Sequence, residues 1–350
     1  RRVLFRSYPA RNIPQNLADL AAQLAANQRG AAELSRLVSQ YGSTVVSAYL
    51  HHVQSHAEKR VRAALMALPI AGKGPVRACM SLDSGEAIAV EVEIDAQCGN
   101  VRVDFAGTSE QSPSNFNAPR AVCTAAVLYV LRTLVDEEIP LNEGCLAPLN
   151  LHIPVGSLLD PLPPAAVVAG NVETSQCIVD LLFGALGVLA DSQGTMNNLT
   201  FGDDTVQYYE TIAGGAGAGP GFCGASGVQT HMTNSRLTDP EVLESRLPVR
   251  LEIFRYRQGS GGAGRYRGGD GLVRRIRFLR ALDVAILSNH RRLAPRGLAG
   301  GSDGACGRTS LLRASGQEEV LGSADCGRVM AGDAVEVQTP GGGGWGASQA

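Results

Sequence analysis

The chain has 350 residues, of which 44% are hydrophobic and 18% charged, and a formal net charge of −2. Length and composition exclude a disordered chain and allow one large domain or two ordinary ones around a sizeable core. So small a net charge projects no field that would recruit nucleic acid or an anionic membrane, and neither partner is expected.

The opening stretch, RRVLFRSYPARNIPQNLADL, has neither the apolar centre nor the cleavage site of a signal peptide, and it lacks an initiator Met, which predicts an N-terminally truncated fragment. From Asn16 to about Leu68 the apolar spacing is helical: Leu17, Leu20 and Leu24, then Leu34, Leu37 and Val38, with Gly42 as a stop and Ser43 as N-cap of a second helix. Two antiparallel helices are expected. His51, His52 and His56 fall on the second, but without the carboxylate of H-E-x-x-H they predict an exposed helix face. The period then changes to two, with Ile88, Val90, Val92 and Ile94, a Gly-Asn turn, and Val101, Val103 and Phe105, which predicts a β-hairpin. A helix follows in NAPRAVCTAAVLYVLRTLV with Pro119 in its first turn, then a short strand in GCLAPLNLHIPVG and a buried helix in NVETSQCIVDLLFGALGVLA.

After Ala190 the texture shifts to glycine-rich loops and short strands. PVRLEIFRYR, GLVRRIRFL, DVAILSNH, RTSLLRA and DAVEVQTP each read as strands between turns. The fold class expected is α+β: helices and a hairpin over residues 1–190, and a glycine-rich, mainly β region over 191–350. No apolar run reaches membrane-spanning length. The eight cysteines are scattered, with no C-x-x-C pair and no histidine at zinc spacing, so the reduced thiols of a cytosolic protein are expected.

The stretch QGSGGAGRYRGGDG contains G-S-G-G-A-G at Gly259–Gly264, a formal match to the dinucleotide fingerprint G-x-G-x-x-G. That fingerprint works only where the glycine turn opens a helix whose N-terminus meets the pyrophosphate. Here Leu272, Ile276 and Phe278 share one parity, so a strand should follow. The pattern also recurs at Gly219–Gly224 and Gly341–Gly346, as expected of a chain with 42 glycines. A wide β-loop with positive φ angles is the simpler reading. The surrounding Arg255, Arg257, Arg265, Arg267, Arg274, Arg275 and Arg277 are expected to be solvated or paired with carboxylates, an acidic-substrate patch or a subunit interface being the other readings.

Three clusters hold polar groups that a core would not choose. GNVETSQ gathers Asn171, Glu173, Thr174 and Ser175 at the start of an apolar helix, where capping would use one or two of them. SQGTMNNLTFG and YYETIAGGAGAGPG set Asn197, Asn198, Tyr208, Tyr209 and Glu210 around a glycine loop, as a site or as an anchored turn. HMTNSRLTDPEVLESR offers an imidazole, hydroxyls, an amide, a guanidinium and carboxylates, a set able to hold a small polar acid or orient a water, or else to cap a short helix.

These same segments, with NAPRAV, IPLNEGCLAPL, PVRLEIFRYRQGSGGAGRYRGGDG and TPGGGGWG, resemble the hydantoinase B/oxoprolinase family along nearly the whole chain and in order. The resemblance implies the B-type, carboxyl-terminal piece of a cytoplasmic, oligomeric enzyme that opens a small cyclic amide, 5-oxo-L-proline, to L-glutamate at the expense of ATP. In such enzymes an A-type part, fused or separate, binds ATP with Mg2+ and phosphorylates the amide oxygen; the B-type part hydrolyses the activated ring, with a divalent metal supplying the water. The A-type part is absent from this chain, and the early metal ligands would lie upstream of Arg1. Asp19 is the only early carboxylate at a family position and reads as a helix-face residue. The residues expected to carry chemistry are His231 and Glu210, with Tyr209, Thr233, Asn234 and Arg236 on the substrate and Asn171 in support. A hydantoinase or N-methylhydantoinase B subunit, and a non-catalytic scaffold subunit, are the alternatives.

Overall fold

The structure is a computed structural model and describes residues 13–348. It opens with α1 (Ile13–Tyr41) and α2 (Ser43–Met66), separated by Gly42 at φ 82°. Glycine takes that conformation without a Cβ penalty, and Gly42 itself occupies the cap position expected of Ser43. The expected antiparallel packing of the two helices is not found, because α1 buries none of its residues. Only the second half of α2 reaches the core, through Ala57, Val61 and Leu65.

The expected hairpin is present as β2 (Ala87–Ile94) and β3 (Val101–Asp104), with Val92 opposite Val103. Its alternation is a burial pattern: Ile88, Val90, Val92, Ile94, Val101 and Val103 all point into the core. β1 (Val76–Ser81) joins antiparallel to β2, and β4 (Leu149–His152) joins parallel to β3, giving a four-stranded sheet. Its inner face packs with α2, α3 (Arg120–Thr133) and α4 (Ser175–Leu186) into one hydrophobic core. α4 enters from a single π-helical turn, Gly170–Thr174, and stops at Gly187 in the left-handed region.

The remaining strands are β5 (Asn198–Gly202), β6 (Gln207–Glu210), β7 (Val249–Arg257), β8 (Gly271–Phe278), β9 (Leu282–Leu287), β10 (Arg308–Leu312), β11 (Glu318–Leu321), β12 (Ala324–Val329) and β13 (Ala334–Gln338), with the short α5 (Pro240–Arg246) before β7. They form a five-stranded sheet, β11-β10-β13-β8-β7, and a four-stranded sheet, β12-β9-β5-β6. The two close on a second core that includes Phe201, Ile276, Phe278, Val284, Leu311 and Val335. Strand β8 does follow the glycine loop, as its parity predicts. The arginines of that region are mostly paired: Arg274 with Glu210, Arg275 with Glu336, Arg277 with Glu252 and Arg267 with Asp270.

The glycine loops themselves depart from the expectation of positive φ. Within Gly259–Gly269 only Gly259 has it, at 83°. The other glycines are required by contact between backbones: segments near 215–219, 261–269, 297–304 and 341–346 run side by side and hydrogen-bond to one another, with Gly262 N donating to Gly342 O, Gly342 N to Gly269 O and Ala218 N to Gly343 O. A Cβ on Gly342 would fall inside the Ala216 carbonyl, and one on Gly217 inside the Ala190 carbonyl. Gly262, Gly268, Gly269 and Gly341 to Gly344 are buried in this bundle, while Gly259, Ala263, Arg265 and Arg267 face solvent. Within the fingerprint, Gly261 N is spent on Asp270 and Gly262 N on Gly342, and strand β8 follows the loop in place of the helix N-terminus that a pyrophosphate would need.

Candidate functional site

Between the two cores lies a layer of buried polar side chains. α4 and the turn before it contribute Glu173, Gln176 and Asp180; the segment after it contributes Asp191, Gln193, Thr195, Asn197 and Asn198; β9 is followed by Asn289 and His290. Burying so many polar groups is tolerable only where they satisfy one another. Most do, and the exceptions are Glu173 Oε2, Gln176 Oε1, Asp180 Oδ2, Gln193 Nε2, Gln229 Oε1, Thr230 Oγ1 and His290 Nε2, which have no partner among the described residues. Buried atoms of this kind mark where a polar ligand or water is held.

The histidine expected from sequence lies here. His231 Nε2 is 2.9 Å from Asp180 Oδ1, and the two side chains are 6% and 0% exposed. With Asp180 as acceptor the imidazole proton lies on Nε2, and Nδ1 faces the Tyr129 hydroxyl at 3.5 Å. The ring is gripped between Tyr129 and Phe183, with centroids at 5.8 and 5.5 Å. His231 has φ 50°, a conformation that few non-glycine residues adopt without reason. Gln176 fastens the loop by donating to Thr230 O at 3.2 Å and to Thr233 Oγ1 at 2.7 Å. An imidazole with one nitrogen oriented by a carboxylate and the other held only by a long hydrogen bond from a tyrosine hydroxyl is equipped for proton transfer.

A second group centres on Glu173. Its Oε1 accepts from Met196 N at 3.1 Å and Asn198 Nδ2 at 2.6 Å. Burial pushes its carboxyl up to about 8, against the lowering effect of its hydrogen bonds and of Arg291. Asn198 Oδ1 accepts in turn from the Tyr209 hydroxyl at 2.6 Å, so the exposed Tyr209 connects through one amide to a buried acid. Burial lowers the Arg291 guanidinium to about 10. Its loop is clamped by Asp83, whose carboxylate accepts from the backbone N–H groups of Arg291, Arg292 and Leu293. Burial, and after it the neighbouring Asp180, raise Asp191, although Arg296 Nε is bound to it at 2.8 Å.

The sequence-predicted residues separate into four environments. His231 and Thr233 meet at the Asp180–Gln176 face of α4. Tyr209 joins Glu173. Glu210, one position on, turns to the other face of β6 and is locked in a bidentate pair with Arg274, at 2.8 and 2.9 Å, while also accepting from Tyr208. Both its oxygens are committed and the side chain is 1% exposed. Asn171, Asn234 and Arg236 are exposed, and Arg236 has no hydrogen bond or ion pair among the described residues. Asp180, Tyr129 and His290 were absent from the expected set; a single carboxylate inside CIVDLLFGAL was the signal available for the first. Among the described residues no group of three or more His, Cys, Asp and Glu side chains is arranged to hold a metal. All eight cysteines are free, and no described helix is long and apolar enough to cross a membrane.

The profile of the family described as Hydantoinase B/oxoprolinase matches residues 1–348. The chain is 48% identical to 5-oxoprolinase 1 of Arabidopsis thaliana over 349 residues, covering 97% of this chain and 28% of that protein. It is 45% identical to a 5-oxoprolinase of Dictyostelium discoideum, covering 96% of this chain and 27% of that protein. The chain thus spans less than a third of the length of these relatives. Among solved structures, the ATP-dependent caprolactamase from Pseudomonas jessenii superposes with a TM-score of 0.85 at 24% identity, covering 98% of this chain and 63% of that one, a likeness of fold.

Proposed function

The chain belongs to the Hydantoinase B/oxoprolinase family, and from that premise we propose that it is the ring-hydrolysing portion of an ATP-dependent 5-oxoprolinase. The substrate class is taken from the 48% identity to the Arabidopsis protein. The observation that carries the chemistry is His231, oriented by buried Asp180 among unpartnered polar atoms. ATP and Mg2+ belong to the A-type part of the complete protein, which activates the lactam by phosphorylating its oxygen.

The activated carbon then takes a water. His231 Nδ1 accepts the water proton, and Asp180 offsets the charge that develops on the imidazolium. When the carbon–nitrogen bond breaks, that proton passes to the departing ring nitrogen and the ring opens to an acyl phosphate, which a second water hydrolyses to glutamate and inorganic phosphate. Arg236 is free to meet the substrate carboxylate, Thr233 and Asn234 flank it, and Asn171 and Tyr209 border the same layer. Glu210 serves this site as a structural anchor, held by Arg274. A divalent metal would polarise the attacking water; the described residues supply no ligand set for it, and no step above passes through one. Alone, without the ATP-binding part, the chain is inactive, and in the cell it works in the cytoplasm.

The deciding assay is ATP-dependent release of glutamate from 5-oxoproline by the complete protein, with hydantoins as competing substrates. Turnover of hydantoins in preference to 5-oxoproline would move the assignment to a hydantoinase.

A further inference from the structure

His290 takes no part in the reaction proposed above, yet it stands against the carboxylate that orients His231. His290 is 2% exposed and Asp180 0%. Each carries a buried atom without a partner among the described residues, Nε2 on the imidazole and Oδ2 on the carboxylate. The other ring nitrogen of His290, Nδ1, lies 2.7 Å from Leu293 O. A carbonyl can only accept, so Nδ1 carries the proton and Nε2 presents a lone pair. Asp180 Oδ1 already accepts from His231 Nε2 and Ser192 N, which leaves Oδ2 as the unused end of the same carboxylate. A Cβ placed on Gly194 would stand 2.3 Å from His290 Nε2 and 3.3 Å from Asp180 Oδ2, so the two atoms are no further apart than those distances laid end to end. Gly194, at φ 60°, is what lets the imidazole approach the chain so closely.

Two acceptors this near each other, both cut off from solvent, are costly unless a donor stands between them. We infer that a buried water fills that place, giving one hydrogen to Asp180 Oδ2 and the other to His290 Nε2, and that His290 is through it a positioning residue for the Asp180–His231 pair. A water has the two hydrogens that the two lone pairs require, and such waters are ordinary parts of polar interiors. A divalent cation would need at least a third ligand, and among the described residues no three His, Cys, Asp and Glu side chains are arranged to supply it. With Oδ2 bare, Asp180 is fixed through Oδ1 alone; the water ties down the second oxygen and so the plane of the carboxylate that His231 charges against. The positioning role rests on the reaction proposed above; the water does not.

A crystal structure of the complete wild-type protein, at a resolution that shows ordered water, tests the first part. A peak about 2.7–3.0 Å from both atoms is expected. An empty gap, a direct contact between the two side chains, or a peak at about 2.0–2.2 Å, the distance of a bound metal, overturns it. Kinetics test the second part. His290→Leu and His290→Gln both lose the bond to Leu293, but glutamine reaches the place of Nε2 with an oxygen that accepts. In His290→Leu kcat should fall about tenfold with KM nearly constant, and in His290→Gln it should return to within about twofold of wild type. In an Asp180→Asn background His290→Leu should cost little more, because the two side chains act as one unit. Equal losses in both His290 variants, or full additivity with Asp180→Asn, overturn the positioning role. Wild-type turnover in Asp180→Asn and His231→Ala would sink that role together with the reaction, while the water would remain in the density.

Discussion

Asp180, fully buried in α4, accepts a hydrogen bond from His231 Nε2 at 2.9 Å. The same oxygen also accepts from Ser192 N at 2.8 Å, so the carboxylate ties the imidazole to the start of the β-rich half. If this pair moves the proton, Asp180→Asn keeps the volume and loses the charge that stabilises the imidazolium. In the complete enzyme, kcat should fall about 10²- to 10⁴-fold with KM nearly constant, and His231→Ala should fall in the same range. Far-ultraviolet circular dichroism should stay unchanged in both. Wild-type turnover in either variant removes the pair from the chemistry.

Glu173 gives a pH dependence of stability whose sign follows from its surroundings. In the folded chain burial holds its proton up to about pH 8, whereas the ordinary glutamate value is 4.5. Between these values the folded state binds more protons than the unfolded state, so the contribution of this group to stability is greatest below 4.5 and is lost as pH rises through 8. The slope is at most about 1.4 kcal/mol per pH unit for one group. Glu173→Gln, neutral at every pH and able to accept from Met196 N through its carbonyl oxygen, should flatten the fall in Tm between pH 5 and 8.5. An unchanged slope would show that the carboxyl ionises in the folded state as it does in water.

Much of the scaffold was legible because single-sided burial leaves a period in the sequence. Alternation at Ile88 to Ile94 and Val101 to Phe105 predicts β2 and β3, and the parity of Leu272, Ile276 and Phe278 predicts the strand after the glycine loop. β1 left a weaker trace because only Met80 of its six residues is buried. The antiparallel helix pair was misjudged for a different reason: an apolar stripe records that a helix has a partner and not where that partner lies. In the site, His231 and Thr233 stand in a loop, where polar residues attract notice, while Asp180 and Tyr129 sit at helical spacing and read as core. Glu210 looked available because its partner, Arg274, is 64 positions away, on another strand.

The Glu210–Arg274 pair yields a stability prediction separable from catalysis. Both side chains are 1% exposed, so removing either charge strands the other in the interior. Arg274→Met should cost about 3–5 kcal/mol, read from the urea midpoint, and Glu210→Gln a comparable amount. The double variant, Glu210→Gln with Arg274→Met, should recover part of that loss. Near-native stability of Glu210→Gln combined with lost turnover would restore Glu210 to the catalytic set.

Two kinds of glycine in the same region should respond differently to a methyl group. Gly259 has φ 83° and nothing near its missing side chain, so Gly259→Ala meets only backbone strain, about 1–2 kcal/mol. Gly342 has ordinary φ, but its Cβ would overlap the Ala216 carbonyl, and Gly342 also donates to Gly269 O at 2.9 Å. Relief would require parting two hydrogen-bonded backbones that carry the rest of the bundle. Gly342→Ala should therefore leave the protein insoluble or lower its Tm far more than Gly259→Ala does. Equal effects at both positions would mean that conformational freedom, and not contact between backbones, is why these loops are made of glycine.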